Sequence, residues 1–507
     1  MAEVTFEIER PEEDAEFPKT QKAQPCAMVL FGASGDLSRR KILPAVYNLA
    51  KDGYLPDGFA LVGSSRSMHS ADEFRELIRS AVERFSRNKL DEDVWRRLAG
   101  RVDHVTGDPR ELATQEQMRQ RIEQLGRIHS TEGNVMFHVA TPPSSMEPII
   151  ARLADAGMLE TRPKQGREPW PRVLLEKPFG LNLEGARRLN GLLAANLDET
   201  QVFRIDHFLA KETVQNIMVF RFANAVFEPI WNSKYVDHVQ ITAAETLSVE
   251  GRGAFYEETG VLRDVVQNHL LQVLALCAME PPISALAGAV REEKAKVFRA
   301  LRPMGTDAAG RDVVLGQYRG YRQEKHVSPD SRTPTYAALK VMIDNWRWQG
   351  VPFYLRAGKM LKAGLTEVAV QFQSIPFCLF GSLCPMIPSN VLVLRIAPNE
   401  GISLRFVGKE PGTDYAVRDV TMDFSYAAFG KPQPEAYERL LLDCMRGDQT
   451  LFARRDAVEL EWRFIDPITA AWEVSTAEIP VYEPKSAGPA EADGLLARDR
   501  RSWMSIS

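Results

Sequence analysis

No apolar run in the sequence approaches the ~18 residues that a membrane-crossing helix requires. The longest, such as LLQVLALCAM (Leu270 to Met279), stops well short. Nor is there a basic excess: 63 Lys and Arg face 68 Asp and Glu, a formal charge of -5. That balance excludes a non-specific nucleic-acid binder and leaves room only for a local basic pocket. Cysteines number five (Cys26, Cys277, Cys378, Cys384, Cys444), with no C-x-x-C among them. An odd count without that spacing predicts neither a disulfide framework nor a zinc site, so reduced, packed thiols are expected and no metal is. Residues 1–24 lack the basic and then apolar regions of a signal peptide; being acidic and proline-punctuated, they read as a mobile tail. A cytoplasmic protein is the simplest reading. Internal repeats and low-complexity tracts are also missing.

What is present is enough chain for more than one core. At 507 residues, 44% hydrophobic and 26% charged, the sequence is that of a globular protein with two domains. Residues 25–204 alternate strand-like and helix-like stretches: AMVLFG, a helix over Leu37 to Asp52, FALVGSS, a helix over Ala71 to Ser86, VMFHVAT, a helix after Ser145, and RVLLEKP. Such alternation predicts a Rossmann-like, doubly wound parallel sheet with its ligand at the carboxyl ends of the strands. Over 205–507 longer strands appear, among them HVQITAAET, AVQFQSIPF, NVLVLRIAP and ISLRFVG. Several alternate polar and apolar positions, which predicts an α+β domain built on a large, mainly antiparallel sheet. The charged stretch REEKAKVFRALRP reads as a solvated helix.

The stretch VLFGASGDLSRRK (Val29 to Lys41) has the order strand, glycine turn, helix, in which free backbone N–H groups and the helix dipole favour a phosphate. Its spacing is G-x-x-G-x-L, short of the full G-x-G-x-x-G fingerprint. Where a second strand would meet an adenosine ribose, LVGSSRS places Ser64, Ser65 and Arg66 and no carboxylate. An acid there selects NAD, whereas a base accommodates a 2′-phosphate, so NADP is the expected cofactor. Taken singly, Gly32 and Gly35 also fit an ordinary strand-to-helix turn, and Arg66 a solvated arginine. Their joint placement favours a dinucleotide, and with it hydride transfer.

Three further stretches carry unusual polarity: LLEKPFG (Leu174 to Gly180), RIDHFLAKETVQN (Arg204 to Asn216) and GVLRDVVQNHLLQ (Gly260 to Gln272). With GASGDL, GVPFYLRAGK, PNEGISLRF, PEAYERLLLDCMRGDQTLF and GPAEADGLLARDRRSW, the chain from about Met28 to Trp503 resembles the glucose-6-phosphate dehydrogenase family. The resemblance implies NADP-dependent oxidation of glucose 6-phosphate to its 1,5-lactone, the first step of the pentose phosphate or Entner–Doudoroff route, in a homodimer or homotetramer. It implies His269 as general base and Asp206 as its orienter, a pairing whose carboxylate fixes the tautomer and stabilises the imidazolium. By the same resemblance His207 and Lys211 bind the sugar phosphate. Lys177, Glu245, Asp264 and Lys359 contact the sugar hydroxyls or the phosphate, with Lys177 also near the cofactor. Gly32, Ser34, Gly35, Asp36, Leu37 and Arg66 line the dinucleotide, and a proline of ATPPS or EKPFG follows a cis bond. Read without the family, His269 on an apolar helix suits a satisfied core histidine, and Glu245, closing an exposed-looking strand, a solvated acid.

Two spacings carry geometric expectations. His207 and Lys211, four apart, share one face if they lie on a helix. Asp264 and His269, five apart, diverge by about 140° on an α-helix, so both reach one sugar only if Asp264 sits at or before the first turn. Three positions depart from the family pattern: Phe208 replaces its tyrosine, Gly364 a basic residue and Ala397 a glutamine, all at the phosphate end of the sugar. Either Lys362 and Arg356 compensate and glucose 6-phosphate remains the substrate, or the pocket takes another carbon-6 group, as in sulfoquinovose or free glucose. A non-catalytic dinucleotide-binding paralogue is a third reading, against which the intact Asp206 and His269 pair argues.

Overall fold

The strand Cys26–Phe31 (β1) is buried at all six positions, as a strand covered by helices on both faces must be. It lies in a computed structural model that describes residues 23–160, 169–305, 311–413, 416–430 and 434–506. The tail expected over 1–24 falls almost wholly outside the described residues. Around β1 stand Phe59–Ser65 (β2), Val102–Thr106 (β3), Val135–Val139 (β4), Pro171–Leu175 (β5) and Val202–Ile205 (β6), in the order β6-β5-β4-β1-β2-β3. All five pairings are parallel. The strand order reverses between β1 and β4, which opens a crevice at their carboxyl ends. β3 and β6 were not expected from sequence: VDHVT and VFRI are short and interrupted by charge.

The second sheet is built from Val236–Ala244 (β7), Val313–Tyr318 (β8), Tyr336–Met342 (β9), Pro352–Gly358 (β10), Leu365–Phe372 (β11), Val391–Ala397 (β12), Gly401–Lys409 (β13) and Val417–Ser425 (β14). Val481–Tyr482 (β16) completes it, in the order β14-β13-β12-β11-β7-β10-β9-β8-β16. Only the β10–β7 and β16–β8 pairings are parallel. β7 is thus central and mostly buried, not the exposed strand its alternation suggested. The remaining strand, Phe452–Ala453 (β15), returns to the first sheet and pairs antiparallel with β6. Among the described residues no helix is long and apolar enough to cross a membrane.

Two sequence expectations are corrected. The charged helix Ala287–Arg299 is not solvated on all sides: Arg291, Glu293 and Lys294 are buried, because it packs between Leu271–Ala278 and Arg455–Val474. Lys294 shares a face with Val290, Val297 and Phe298, a helical periodicity legible in the sequence. Cys378 and Cys384 form a disulfide; the helical turn Gly381–Met386 brings their Cα atoms within 5.8 Å, inside the span a disulfide bridges. Cys26, Cys277 and Cys444 are free and buried, and burial pushes the thiols of Cys26 and Cys277 up to about 12.

Candidate active site

The chain leaves β1 through Gly32 at φ +81°, a left-handed conformation that favours glycine. A Cβ there would stand 2.4 Å from the carbonyl oxygen of Ala140, just beyond β4, so the turn and the β4 loop meet at the crevice. The N–H groups of Gly32 and Ala33 donate to Ser64 O at 3.1 and 3.2 Å, and Gly35 N–H donates to Gly32 O at 2.9 Å. Ser34 Oγ accepts from Ser67 Oγ, just beyond β2, at 3.2 Å. Asp36 is exposed and 3.8 Å from Arg40, Leu37 is half-buried, and a π-helical turn over Ser38–Ile42 follows. Arg66, directly after β2, is exposed, and its charge contributes, after Arg110, to holding Asp108 at about 2. A glycine cradle closed by backbone on one side and a cation beyond β2 on the other fit a dinucleotide with a 2′-phosphate.

Across the carboxyl edge of the same sheet, β6 ends at Ile205 and delivers Asp206, His207 and Phe208 in consecutive turns. His207 and Lys211 therefore lie in a turn ahead of the helix Glu212–Phe222, not on one helical face; Lys211 is its N-terminal flanking residue. His269 Nδ1 is 2.5 Å from Asp206 Oδ1, which also accepts the Phe208 N–H at 3.0 Å, while Asp206 Oδ2 is buried without a partner. Because a carboxylate faces Nδ1, that nitrogen carries the proton and Nε2 is left as the acceptor.

His269 stands near the end of a nine-residue π-helix, Leu262–Leu270, entered through Gly260 at φ +54°. Asp264 lies in the first turn of this helix, one of the two places the spacing allowed it. In i→i+5 geometry residues five apart stack over one another, so Asp264 inside the helix faces the same way as His269. Lys177 Nζ donates to Asp264 Oδ1 at 2.6 Å and to its carbonyl at 2.8 Å, and the Lys177–Pro178 bond is cis, as one of the two motifs was expected to be. Lys359 Nζ, anchored through a carbonyl that accepts from Tyr482 OH at 2.7 Å, donates to Glu245 Oε2 at 2.6 Å.

Electrostatics bind these pairs into one cluster. Burial alone would raise the carboxyls of Asp206 and Asp264, yet His269 and His207 beside the first, and Lys177, Lys359 and His269 beside the second, bring both to about 2. Burial depresses His269 below its ordinary 6.5 against the pull of Asp206, and drives His207 well below it with help from the charges of His269, Lys177 and Lys211. Burial also lowers Lys211, opposed by Glu400, Asp206 and Glu245. Asp206, His207 and His269 bring one ligand-type atom each within 4.8 Å, but the facing atoms of Asp206 and His269 are spent on each other and no metal is assigned.

The altered positions are also placed. Phe208 lies flat against the His269 ring, with centroids 4.1 Å apart and 8° between planes. A Cβ at Gly364 would have nothing nearer than 3.9 Å, so the space of a longer side chain is open there. Ala397 is half-buried, ending β12 before a cis bond to Pro398. Arg356 does not compensate: its buried guanidinium lies over Trp503 and donates to Thr242 Oγ1 and Met504 O. Lys362 is exposed.

Sequence reasoning missed a buried layer behind the site. Tyr437 stacks near His207 and donates to Glu176 Oε2 at 3.1 Å, whose other oxygen is 2.9 Å from His138 Nε2. Behind Asp206 lie Lys294 and Glu461, the latter accepting from Gln272 at 2.5 Å. Glu176 sits inside the quoted LLEKPFG, where its polarity was a usable signal.

Comparison with known proteins places this geometry. Residues 29–216 match the profile "Glucose-6-phosphate dehydrogenase, NAD binding domain", and residues 218–504 the profile "Glucose-6-phosphate dehydrogenase, C-terminal domain". The chain belongs to the glucose-6-phosphate dehydrogenase family. Within that family it is 44% identical over 498 residues to glucose-6-phosphate 1-dehydrogenase of Chlamydia pneumoniae, covering 95% of this chain and 96% of that one. To glucose-6-phosphate 1-dehydrogenase 2 of Mycobacterium bovis it is 42% identical, covering 97% of each. A crystal structure of glucose-6-phosphate 1-dehydrogenase from Mycobacterium avium superposes with a TM-score of 0.81 at 37% identity, covering 95% of this chain and 99% of that one. A glucose-6-phosphate dehydrogenase solved with its substrate glucose 6-phosphate does so with 0.85 at 32% identity, covering 96% and 100%.

Proposed function

We propose that the chain oxidises glucose 6-phosphate at carbon 1 to 6-phosphoglucono-1,5-lactone, with NADP as hydride acceptor and His269 as base. The observation that carries this reading is the buried Asp206–His269 pair, in which Nε2 of His269 is the remaining acceptor and Lys177, His207, Lys211 and Lys359 are the charged and polar neighbours of the pair or of Asp264. NADP, when bound, supplies the hydride acceptor. Nε2 of His269 takes the proton of the carbon-1 hydroxyl, and the ionised Asp206 stabilises the imidazolium so formed. Lys211 and neutral His207 bind the phosphate, the one by charge and the other by a donated hydrogen bond. Lys177, Asp264, Glu245 and Lys359 hold the sugar hydroxyls. Gly32, Ser34, Gly35, Asp36 and Leu37 follow the dinucleotide phosphates, Arg66 meets the 2′-phosphate, and Lys177 stands between cofactor and sugar.

This divides the labour between residues 25–204, which hold the dinucleotide, and 205–507, which hold the sugar and pair subunits through the large sheet in a cytoplasmic homodimer or homotetramer. The open space at Gly364 favours one competitor, an aldopyranose with another carbon-6 group. The experiment is a comparison of kcat/KM for glucose 6-phosphate, glucose and sulfoquinovose, followed by NADP reduction. A preference for glucose 6-phosphate supports the reading. A preference for either other sugar assigns the same chemistry to a different substrate, and no turnover with any sugar leaves only a binding role.

A further inference from the structure

Phe208 stands between the two halves of the site. On one side the His269 imidazole lies parallel to its ring, at 4.1 Å between centroids. The Lys211 ammonium also lies over the ring, 4.2 Å from the centroid. A flat imidazole at that separation leaves no room for an ammonium on the same face, so the two occupy opposite faces. His207 meets the ring edge-on at 5.4 Å, and the His269 ring edge-on at 4.5 Å. The stack is fixed from its own backbone, since the Phe208 N–H donates to the Asp206 oxygen that His269 also uses.

We propose that Phe208 is a positioning residue that relays occupancy of the phosphate clamp to the base. The inference rests on the reading of His207 and Lys211 as the phosphate clamp and of His269 as the base. An aromatic face attracts a cation through its quadrupole. With Lys211 uncovered, the ring's electron density is drawn to the ammonium, and the opposite face is a poor partner for a second cation. Proton transfer from the sugar makes that second cation, the His269 imidazolium. A phosphate dianion on Lys211 neutralises the first and releases the ring to stabilise the second. The phosphate of the substrate thereby accelerates the proton transfer, and discrimination for a charged carbon-6 group appears in kcat as well as in KM. A cation–π contact of this kind corresponds to about 2- to 30-fold in rate.

The test separates the phosphate from the sugar. Turnover of free glucose with NADP is measured with and without inorganic phosphate, in the full-length protein and in Phe208→Leu and Phe208→Tyr. Inorganic phosphate should raise kcat for glucose within that range in the wild type. Phe208→Leu should still bind phosphate in calorimetry but lose the activation, and Phe208→Tyr should restore it. Because Phe208→Leu removes buried packing, a series of mono-, di- and trifluorinated phenylalanines at position 208 keeps the shape while draining the ring face; activation should fall stepwise along it. Retained activation in Phe208→Leu, a flat fluorination series, or no activation of the wild type overturns the relay. Failure of the wild type to oxidise glucose 6-phosphate is a different result and overturns the functional reading.

Discussion

A histidine that must accept a proton from an alcohol works only while it is neutral, and burial keeps His269 so at pH values where an exposed histidine is half protonated. The acid limb of kcat/KM should therefore lie below pH 6.5, the ordinary histidine value, falling tenfold per pH unit beneath it. Asp206 raises the proton affinity of His269, so Asp206→Asn should move that limb to lower pH while lowering kcat. A pH–rate profile of the two proteins checks both signs. His269→Ala should lower kcat by at least ~100-fold with little change in substrate Kd, measured by single-turnover kinetics and calorimetry. At the other end of the site, Arg66→Ala should raise the KM for NADP by about one to two powers of ten and leave NAD use nearly unchanged, as for a lost charge-assisted contact of ~1.5–3 kcal/mol. These residues were legible because each combines unusual polarity with an apolar or glycine-rich setting. Lys294 was legible only through its helical periodicity with Val290, Val297 and Phe298, a face that the charge run around it masks.

Among the elements, the glycine turn after β1 and the π-helix over Leu262–Leu270 do most to set the geometry. Gly32→Ala should destabilise the protein by ~1–3 kcal/mol, because a Cβ at positive φ would also meet the Ala140 carbonyl at 2.4 Å. Gly364→Ala, with open space around it, should change stability by less than ~0.5 kcal/mol. Denaturant unfolding of both variants makes the comparison. The strand–turn–helix order of GASGDL shows in the sequence because its spacing is local. The register of the second helix does not, since periodicity distinguishes apolar faces and not an i→i+5 from an i→i+4 ladder. Angles taken from an α-helix therefore set Asp264 and His269 about 140° apart, when the wider i→i+5 turn brings them to one face. His207 and Lys211 show the converse, lying in a turn rather than on one helical face. The Cys378–Cys384 pair depends on a local turn that cysteine counting does not see.

At the scale of the molecule, His269, which is buried, and His207, which is half-buried, tie stability to pH. Both bind protons more weakly folded than unfolded, so the unfolded chain holds more protons below about pH 6.5 and stability falls as pH falls. Each contributes up to ~1.4 kcal/mol per pH unit until its folded value is passed. Asp206 and Asp264, at about 2 in the folded chain, add a second loss below their ordinary 3.8. Asp443, raised by burial to about 6, pulls the other way. Tm measured from pH 8 to 5 in the wild type and in His207→Asn isolates one histidine: the variant should show the shallower decline. The two sheets themselves were foreseen because alternation of strand and helix is a long-range pattern written in short-range periodicities. The pairing of β15 with β6 was not, since nothing local in FA marks two residues as partners of a strand some 250 positions earlier. That pairing has a consequence for how the protein is made. A ribosome adding ~5–20 residues per second finishes β6 about 12–50 s before it supplies Phe452 and Ala453. Through that interval the nascent nucleotide-binding half carries an open strand edge, the feature on which β-rich intermediates pair wrongly. Phe452 and Ala453 thus close an edge left open since β6, and chains truncated before them should be cleared or aggregate instead of persisting as half-enzymes.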